Sequence, residues 1–315
     1  MKIAFSFAGQ GAQYPGMCRD LYDAYPVVRD VFAEASDALG RDMAALCFES
    51  GADELNQTNN TQPAMVTVET AVYRLLTELA ITPAYLTGFS LGECSALMAG
   101  GVVSAADGYK LVERRAALMQ NAVPAGAGKM AAVIGLDAPA VERLCKEAGD
   151  GVWPANYNCP GQIVVSGTAQ GVQAMTALAE AQGVRMMPLA VSIPSHCPLM
   201  RSAADEFGAF LTNLEFREPT IPIVTDGDAQ VTGDPNALRD KLAKQLYQPI
   251  RYEQVLYTLR DCGVDTYIEI GPGKTLSGLV KRTLGNVRIL RAENEKTLEA
   301  LLKAVRDEEE SAGNV

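Results

Sequence analysis

Short β-rich runs alternate with helical patterns along this 315-residue chain, and that alternation restricts the fold to the α/β class, with helices covering a mostly parallel sheet. Residues 2–7 read as a buried strand running into a glycine loop, Gly9-Gln10-Gly11. Residues 62–79 have the apolar spacing of an amphipathic helix, with Thr61 as its N-cap and Pro63 in its first turn. A short strand at 84–88 precedes a helix over 91–98, stopped by Gly100-Gly101, and a further helix spans 106–121. Toward the C-terminus the pattern predicts a helix over 199–214, a strand at 221–224, helices over 237–247 and 252–262, and strands at 265–270 and 287–290. A last helix follows, and the acidic tail after Val305 is expected to fray.

The middle of the chain has its own order. A strand at 130–136 leads to Asp137, which caps a helix with Pro139 near its start and Gly149 past its end. Strands at 152–158 and 162–166 are joined by a Cys159-Pro160-Gly161 turn. Thr168 caps a second helix that stops at Gly183, and a strand at 184–191 closes the unit. The order β-α-β-β-α-β is that of a ferredoxin-like split unit. It is flanked by Ala125-Gly126-Ala127-Gly128, a stretch suited to a hinge. The expected organisation is a small domain at 126–197 inserted into a large one formed by 1–125 and 198–315.

Composition narrows the chemistry. The chain has one histidine, which excludes His-rich zinc sites, facial triads and phosphohistidine relays; a histidine base, if used, is His196. With 27 basic against 38 acidic residues and a net charge of −11, a broad nucleic-acid surface is not expected. No run approaches the roughly 18–20 apolar residues of a membrane span, and the N-terminal apolar run is too short for a signal peptide. Seven cysteines are scattered without a CxxC pair, which fits reduced thiols in the cytoplasm better than a disulfide framework or a metal site. Cys197 lies next to His196, but neighbours on an extended chain point apart, which disfavours it as a nucleophile.

Three short segments carry chemistry. Gly88-Phe89-Ser90-Leu91-Gly92 matches the G-x-S-x-G nucleophile elbow. A serine between a strand and a helix sits on a tight turn, and glycines two residues either side let the backbone pass close by. Its hydroxyl then projects at a helix N-terminus, where the Leu91 amide can donate to a developing oxyanion. The pattern is short enough to occur by chance; a preceding strand and a following apolar helix supply the context it needs. Pro194-Ser195-His196-Cys197-Pro198 holds the histidine on a stiff, non-helical segment, suited to an aimed side chain. Gly9-Gln10-Gly11-Ala12-Gln13 follows the first strand; by itself it reads as a tight turn.

Together with Arg115 and Met119-Gln120, Asn156-Tyr157-Asn158 with Pro160-Gly161-Gln162, Gln245-Leu246-Tyr247 with Pro249, and Gly271-Pro272-Gly273-Lys274, these segments occur in the order seen in malonyl-CoA:acyl carrier protein transacylases. The resemblance covers nearly the whole chain. It implies a large α/β-hydrolase-like domain with a ferredoxin-like insertion. It implies Ser90 as the nucleophile, His196 as its base, the backbone amides of Gln10 and Leu91 as the oxyanion hole, and Arg115 as the clamp on the malonyl carboxylate. A planar guanidinium suits that task better than an ammonium. The base is oriented in this family by a backbone carbonyl, which corresponds here to Gln245. No metal and no cofactor are implied, coenzyme A thioester being a substrate; the partners are malonyl-CoA and an acyl carrier protein, and a monomer is expected.

The chain departs from the family at Phe89, where most members have histidine. That position flanks the nucleophile, so the departure bears on acyl selectivity and acceptor docking. Ser195 is small, so the steric case against methylmalonyl is not strong. The expected mechanism is a ping-pong transfer through malonyl-serine, with an unperturbed imidazole pKa of about 6.5 suiting both proton transfers. A basic patch from Arg201, Arg251, Lys274, Lys281 and Arg282 is the candidate dock for an acidic carrier. An acyltransferase of polyketide assembly or malonate decarboxylation, or a thioester hydrolase with the same Ser-His pair, stays open at this point, as does a non-catalytic acyl-binding protein, although the intact Ser, His and Arg set disfavours the last.

Overall fold

The computed structural model describes residues 1–191 and 193–313. Ten strands are found among them: β1 (Ile3–Phe7), β2 (Tyr85–Gly88), β3 (Gly128–Ile134), β4 (Val152–Cys159), β5 (Gln162–Thr168), β6 (Arg185–Pro188), β7 (Ile223–Val224), β8 (Val231–Thr232), β9 (Thr266–Ile270) and β10 (Arg288–Ala292). The larger sheet has the order β10-β9-β1-β2-β7-β8. Its first five strands are parallel, and β8 pairs antiparallel to β7 at the edge.

All five residues of β1 are buried, because helices cover both faces of the sheet. Phe5 and Phe7 point to one face and meet Tyr73 of the helix Thr58–Glu78. Ala4 and Ser6 point to the other, where the Ser6 hydroxyl lies 2.6 Å from the Tyr252 hydroxyl of the helix Tyr252–Asp261. Apolar burial of this kind contributes roughly 1.5–3 kcal/mol per large side chain.

In the second sheet, β4-β5-β3-β6, every pairing is antiparallel. The helices Ala138–Glu147 and Ala169–Ala181 pack on it through Val141, Leu144, Val172 and Met175. The Asp137 carboxylate accepts from the Ala140 N–H, and the Thr168 hydroxyl from the Gly171 N–H, so both expected caps are in place. β4 is tied to Ile250, just before the helix Tyr252–Asp261: the Ile250 N–H donates to the Ala155 carbonyl and the Ile250 carbonyl accepts from the Tyr157 N–H, both at 2.8 Å. Gly128, in the stretch expected to hinge, is buried where a Cβ would collide with the Pro194 ring, so it packs the segment that carries His196.

Several elements differ from expectation. The long helix begins at Thr58, and the Thr61 hydroxyl donates to the Leu55 carbonyl from inside it; Thr61 is not its cap, and Pro63 lies beyond the first turn. The helices Arg19–Ala24, Pro26–Leu39, Met43–Phe48 and Ala52–Leu55 fill a region for which no element was expected. The strand expected over 184–191 is only Arg185–Pro188, and β7 is two residues long. The acidic stretch after Val305 continues the last helix, which runs Glu295–Gly313. Among the described residues, no helix is long and apolar enough to cross a membrane, and no group of three or more His, Cys, Asp or Glu is placed to hold a metal.

Candidate active site

The loops after β1, β2, β7 and β9 leave the same edge of a parallel sheet, which is where such sheets build their sites. Phe7 is level with Gly88 and Thr87 with Val224, so Gln10, Ser90 and Asp226 emerge side by side. The elbow closes because its glycines have no side chains. A Cβ on Gly88 would overlap the Gly92 carbonyl group, and one on Gly92 would overlap the Phe7 carbonyl. Between them Ser90 is held left-handed, at φ 54°, a conformation that costs on the order of 1–3 kcal/mol for a non-glycine residue. The helix Gly92–Ala99 begins immediately after, with Leu91 at its cap.

His196 also has positive φ, 61°, and its N–H is fixed on the Leu246 carbonyl at 2.9 Å. The ring is 3 % exposed. Its Nδ1 lies 2.7 Å from the Gln245 carbonyl oxygen and its Nε2 2.7 Å from Ser90 Oγ. A carbonyl can only accept, so Nδ1 carries the proton and Nε2 is free to accept from the serine hydroxyl. Burial pulls the imidazole pKa down from 6.5 to about 4, opposed by the Gln245 carbonyl and assisted by the Arg115 charge. The expectation of an unperturbed imidazole is therefore corrected: the ring is neutral, and ready as a base, well below neutral pH.

The single histidine makes that shift directly measurable. Imidazole proton resonances followed by NMR should titrate near pH 4 in the folded protein and near 6.5 after unfolding; a folded midpoint of 6.5 would contradict the burial. Because the folded pKa is depressed, the associated stability is present above pH 6.5 and lost as pH falls toward 4.

Arg115, in the helix Ala105–Asn121, is 1 % exposed, whereas Arg114 faces outward and pairs with Glu206. Its Nη1 donates to Gln62 Oε1 at 3.0 Å, and its Nη2 to Gln245 Oε1 at 2.9 Å and to Ser90 Oγ at 3.3 Å. Among the described residues it makes no ion pair, and its Nε has no partner. Burial lowers its pKa, and the nearby Asp226 and Glu93 act against that. The Gln10 side chain is turned to Thr58 and Gln62, at 3.1 and 3.3 Å. No hydrogen bond from the Gln10 or Leu91 backbone N–H is found among the described residues. Phe89 stacks edge-on against Tyr252 at 5.2 Å, and its carbonyl and ring would meet any Cβ at Gly9, so Gly9 is what lets the Gln10 loop approach the elbow.

Cys197 is fully buried, with its thiol on the Pro194 carbonyl and its pKa raised by burial, which removes it as a nucleophile. Of the basic candidates, Arg201 lies over the Tyr247 ring and pairs with Asp205, and Arg251 lies over Tyr157. Lys274, Lys281 and Arg282 are exposed at the helix Thr275–Leu284, without ion pairs among the described residues. Sequence reasoning missed Gln62 and Asp226. The signal for the first was a glutamine on a buried helix face; for the second, an acidic residue just past a parallel strand.

A serine hydroxyl that can hand its proton to a buried neutral imidazole attacks ester and thioester carbonyls. Fold and site thus define an acyl-transferring serine enzyme. A family model for the acyl transferase domain matches residues 4–312. The chain is 42 % identical over 306 residues to the malonyl CoA-acyl carrier protein transacylase of Escherichia coli (strain K12), covering 96 % of this chain and 99 % of that protein. It superposes with a TM-score of 0.97 and 36 % identity on a malonyl CoA-acyl carrier protein transacylase from Clostridium perfringens, covering 99 % and 100 % of the two chains. A malonyl-transacylase solved in complex with its type II PKS acyl-carrier protein matches with a TM-score of 0.94 and 40 % identity over 96 % and 100 %. The chain belongs to the malonyl CoA-acyl carrier protein transacylase family.

Proposed function

We propose that this chain moves a malonyl group from coenzyme A to the phosphopantetheine thiol of an acyl carrier protein, in fatty acid biosynthesis, through a malonyl ester on Ser90. His196 Nε2 takes the Ser90 proton as Oγ attacks the thioester carbonyl. The backbone amides of Gln10 and Leu91 hold the oxyanion. Collapse expels the coenzyme A thiolate, which receives the proton from His196. The carrier thiol then attacks the malonyl ester, with His196 taking its proton and returning one to Ser90. Gln245, through its carbonyl, keeps the imidazole in the required tautomer. No cofactor takes part.

The observation that carries this reading is Arg115: a fully buried guanidinium beside Ser90 Oγ whose hydrogen bonds go to neutral groups. A buried cation with no carboxylate in direct contact costs free energy that the nearby Asp226 and Glu93 offset only in part, and a substrate carboxylate on its free donors offsets more. The architecture supports reading 1–125 and 198–315 as an α/β-hydrolase-like catalytic domain and 126–197 as a ferredoxin-like insertion. Seven unpaired cysteines support a reducing, cytoplasmic setting, and the net charge of −11 supports a reading without a nucleic-acid partner; with no membrane partner, the chain is read as a monomer.

Intact mass spectrometry after mixing with malonyl-CoA tests the transfer. One malonyl adduct is expected on the native protein and none on Ser90→Ala; an adduct that survives the substitution overturns the assignment.

The solved complex with a type II PKS carrier favours polyketide assembly as a second setting for the same reaction. Turnover against carriers of each kind separates the two. For docking, the exposed Lys281 and Arg282 are the strongest of the basic candidates. Reversing both charges should raise the KM for the carrier about tenfold, since each rim charge contributes about 1 kcal/mol or less, and leave malonyl-Ser90 formation unchanged. An unaltered carrier KM would remove them from the dock.

A further inference from the structure

Asp226 lies two residues past β7, directly beside the elbow, and is fully buried. Its Oδ2 accepts from the Ser90 backbone N–H at 2.6 Å. Its two oxygens accept from Gln245 Nε2 at 3.0 and 3.2 Å. Its own N–H is tied to Glu93 Oε2 at 2.7 Å, and its carbonyl to Arg251 N–H at 2.7 Å. Gln245 is the residue through which the site is assembled: its backbone carbonyl holds His196 and its side-chain Oε1 holds Arg115.

We propose that Asp226 is a positioning residue for acyl transfer, binding the strained nucleophile turn and the Gln245 amide into one unit so that His196 and Arg115 are aimed together. The inference rests on the malonyl-transfer reading.

The argument is one of donors and acceptors. An amide side chain can be turned either way about its last bond. A carboxylate only accepts, and so does the Ser90 carbonyl, which Gln245 Nε2 also meets at 3.1 Å. Nε2 must therefore face Asp226 and Ser90, which leaves Oε1 facing the Arg115 Nη2, a group that only donates. Turned over, the amide would set oxygen against oxygen at Asp226 and Ser90 and N–H against N–H at Arg115, and release the guanidinium. Meanwhile the short bond from Ser90 N–H to a carboxylate is of the charge-assisted kind, and offsets the strain of φ 54° at that residue. Burial raises both carboxyls. Hydrogen bonds with Glu93, Gln245 and Ser90 and the Arg115 charge hold Asp226 to about 6, so it carries its charge at neutral pH, while burial and the neighbouring Asp226 push Glu93 well up.

The test is a set of single-turnover acylation rates with malonyl-CoA and with acetyl-CoA. The proteins are the native chain, Asp226→Ala, Asp226→Asn, Gln245→Leu and the Asp226→Ala/Gln245→Leu double variant, each checked for folding by circular dichroism. Gln245→Leu keeps the carbonyl that holds His196. Asp226→Ala should slow malonyl acylation about 100-fold, the scale of a misplacement of about 1 Å, and acetyl acylation about tenfold. Asp226→Asn keeps one acceptor oxygen and should recover all but about three- to tenfold. In the Gln245→Leu background, Asp226→Ala should change the malonyl-to-acetyl ratio less than about threefold, because the coupling runs through that amide. Equal loss on both substrates, or a ratio change that Gln245→Leu leaves undiminished, would reduce Asp226 to a structural residue. Should Asp226→Ala not fold, native-like rates in Asp226→Asn overturn the proposal. Failure of the native chain to take up malonyl speaks against the transferase reading instead, and is read separately.

Discussion

Replacing His196 by alanine should lower malonyl transfer at neutral pH by about 10²–10⁴-fold, the range a positioned general base contributes. The expectation is sharper here than in a histidine-rich protein. The chain has no second imidazole to shift into place, and Phe89, beside the nucleophile, cannot accept a proton. Asp226 cannot substitute, because its oxygens are spent on the Ser90 N–H and Gln245. Glu93 is turned to the Asp226 backbone. The substitution also leaves the Gln245 carbonyl unpaired, at about 1–3 kcal/mol, so activity must be compared at a temperature where the variant is folded. Both halves of the reaction should suffer alike, since one ring serves both proton transfers. Single-turnover malonylation followed by mass spectrometry, and carrier acylation followed separately, give the two rates. Added imidazole, which fits the space vacated, should restore part of the activity. Transfer within tenfold of the native rate would mean that another group deprotonates Ser90.

Much of this site was legible from residue types alone, for physical reasons. The elbow announces itself because only glycine can occupy positions 88 and 92, where a Cβ would overlap backbone. The caps Asp137 and Thr168 mark their helices because a side-chain oxygen is needed at an N-terminus to meet unpaired N–H groups. One histidine leaves one base. What was not legible depends on the register between distant strands. Asp226 and Ser90 are 136 residues apart and meet only because β7 pairs with β2. Nothing local distinguishes Asp226 from the neighbouring Asp228, which is bridged to Lys241. Gln62 looked like a helix-start residue, but the helix begins four residues earlier and places it on the buried face against Arg115. Tertiary hydrogen bonding explains the misplaced cap: the Thr61 hydroxyl was available to N–H groups, yet it donates to the Leu55 carbonyl of the preceding helix.

Arg115→Ala should separate substrates rather than abolish chemistry. Malonyl transfer is expected to fall by about 2–5 kcal/mol, or roughly 30- to several-thousand-fold, which is the cost of removing one partner of a buried, hydrogen-bonded charge pair. Acetyl transfer has no carboxylate to hold and should change little or improve. Two features set the direction. The guanidinium reaches Ser90 Oγ, so a carboxylate held on its remaining donors lies close to the reacting carbon. Its other bonds go to Gln62 and Gln245, neutral amides that orient the fork without neutralising it. Arg115→Lys retains the charge but loses the planar pair of donors, and should fall between the two. The alternative is that Arg115 serves mainly as the counter-charge to Asp226, in which case its removal destabilises the elbow and slows every acyl group alike. Measuring kcat/KM for malonyl-CoA and acetyl-CoA on the same preparation decides: a ratio that collapses toward unity assigns the carboxylate to Arg115, whereas parallel losses assign Arg115 to the scaffold.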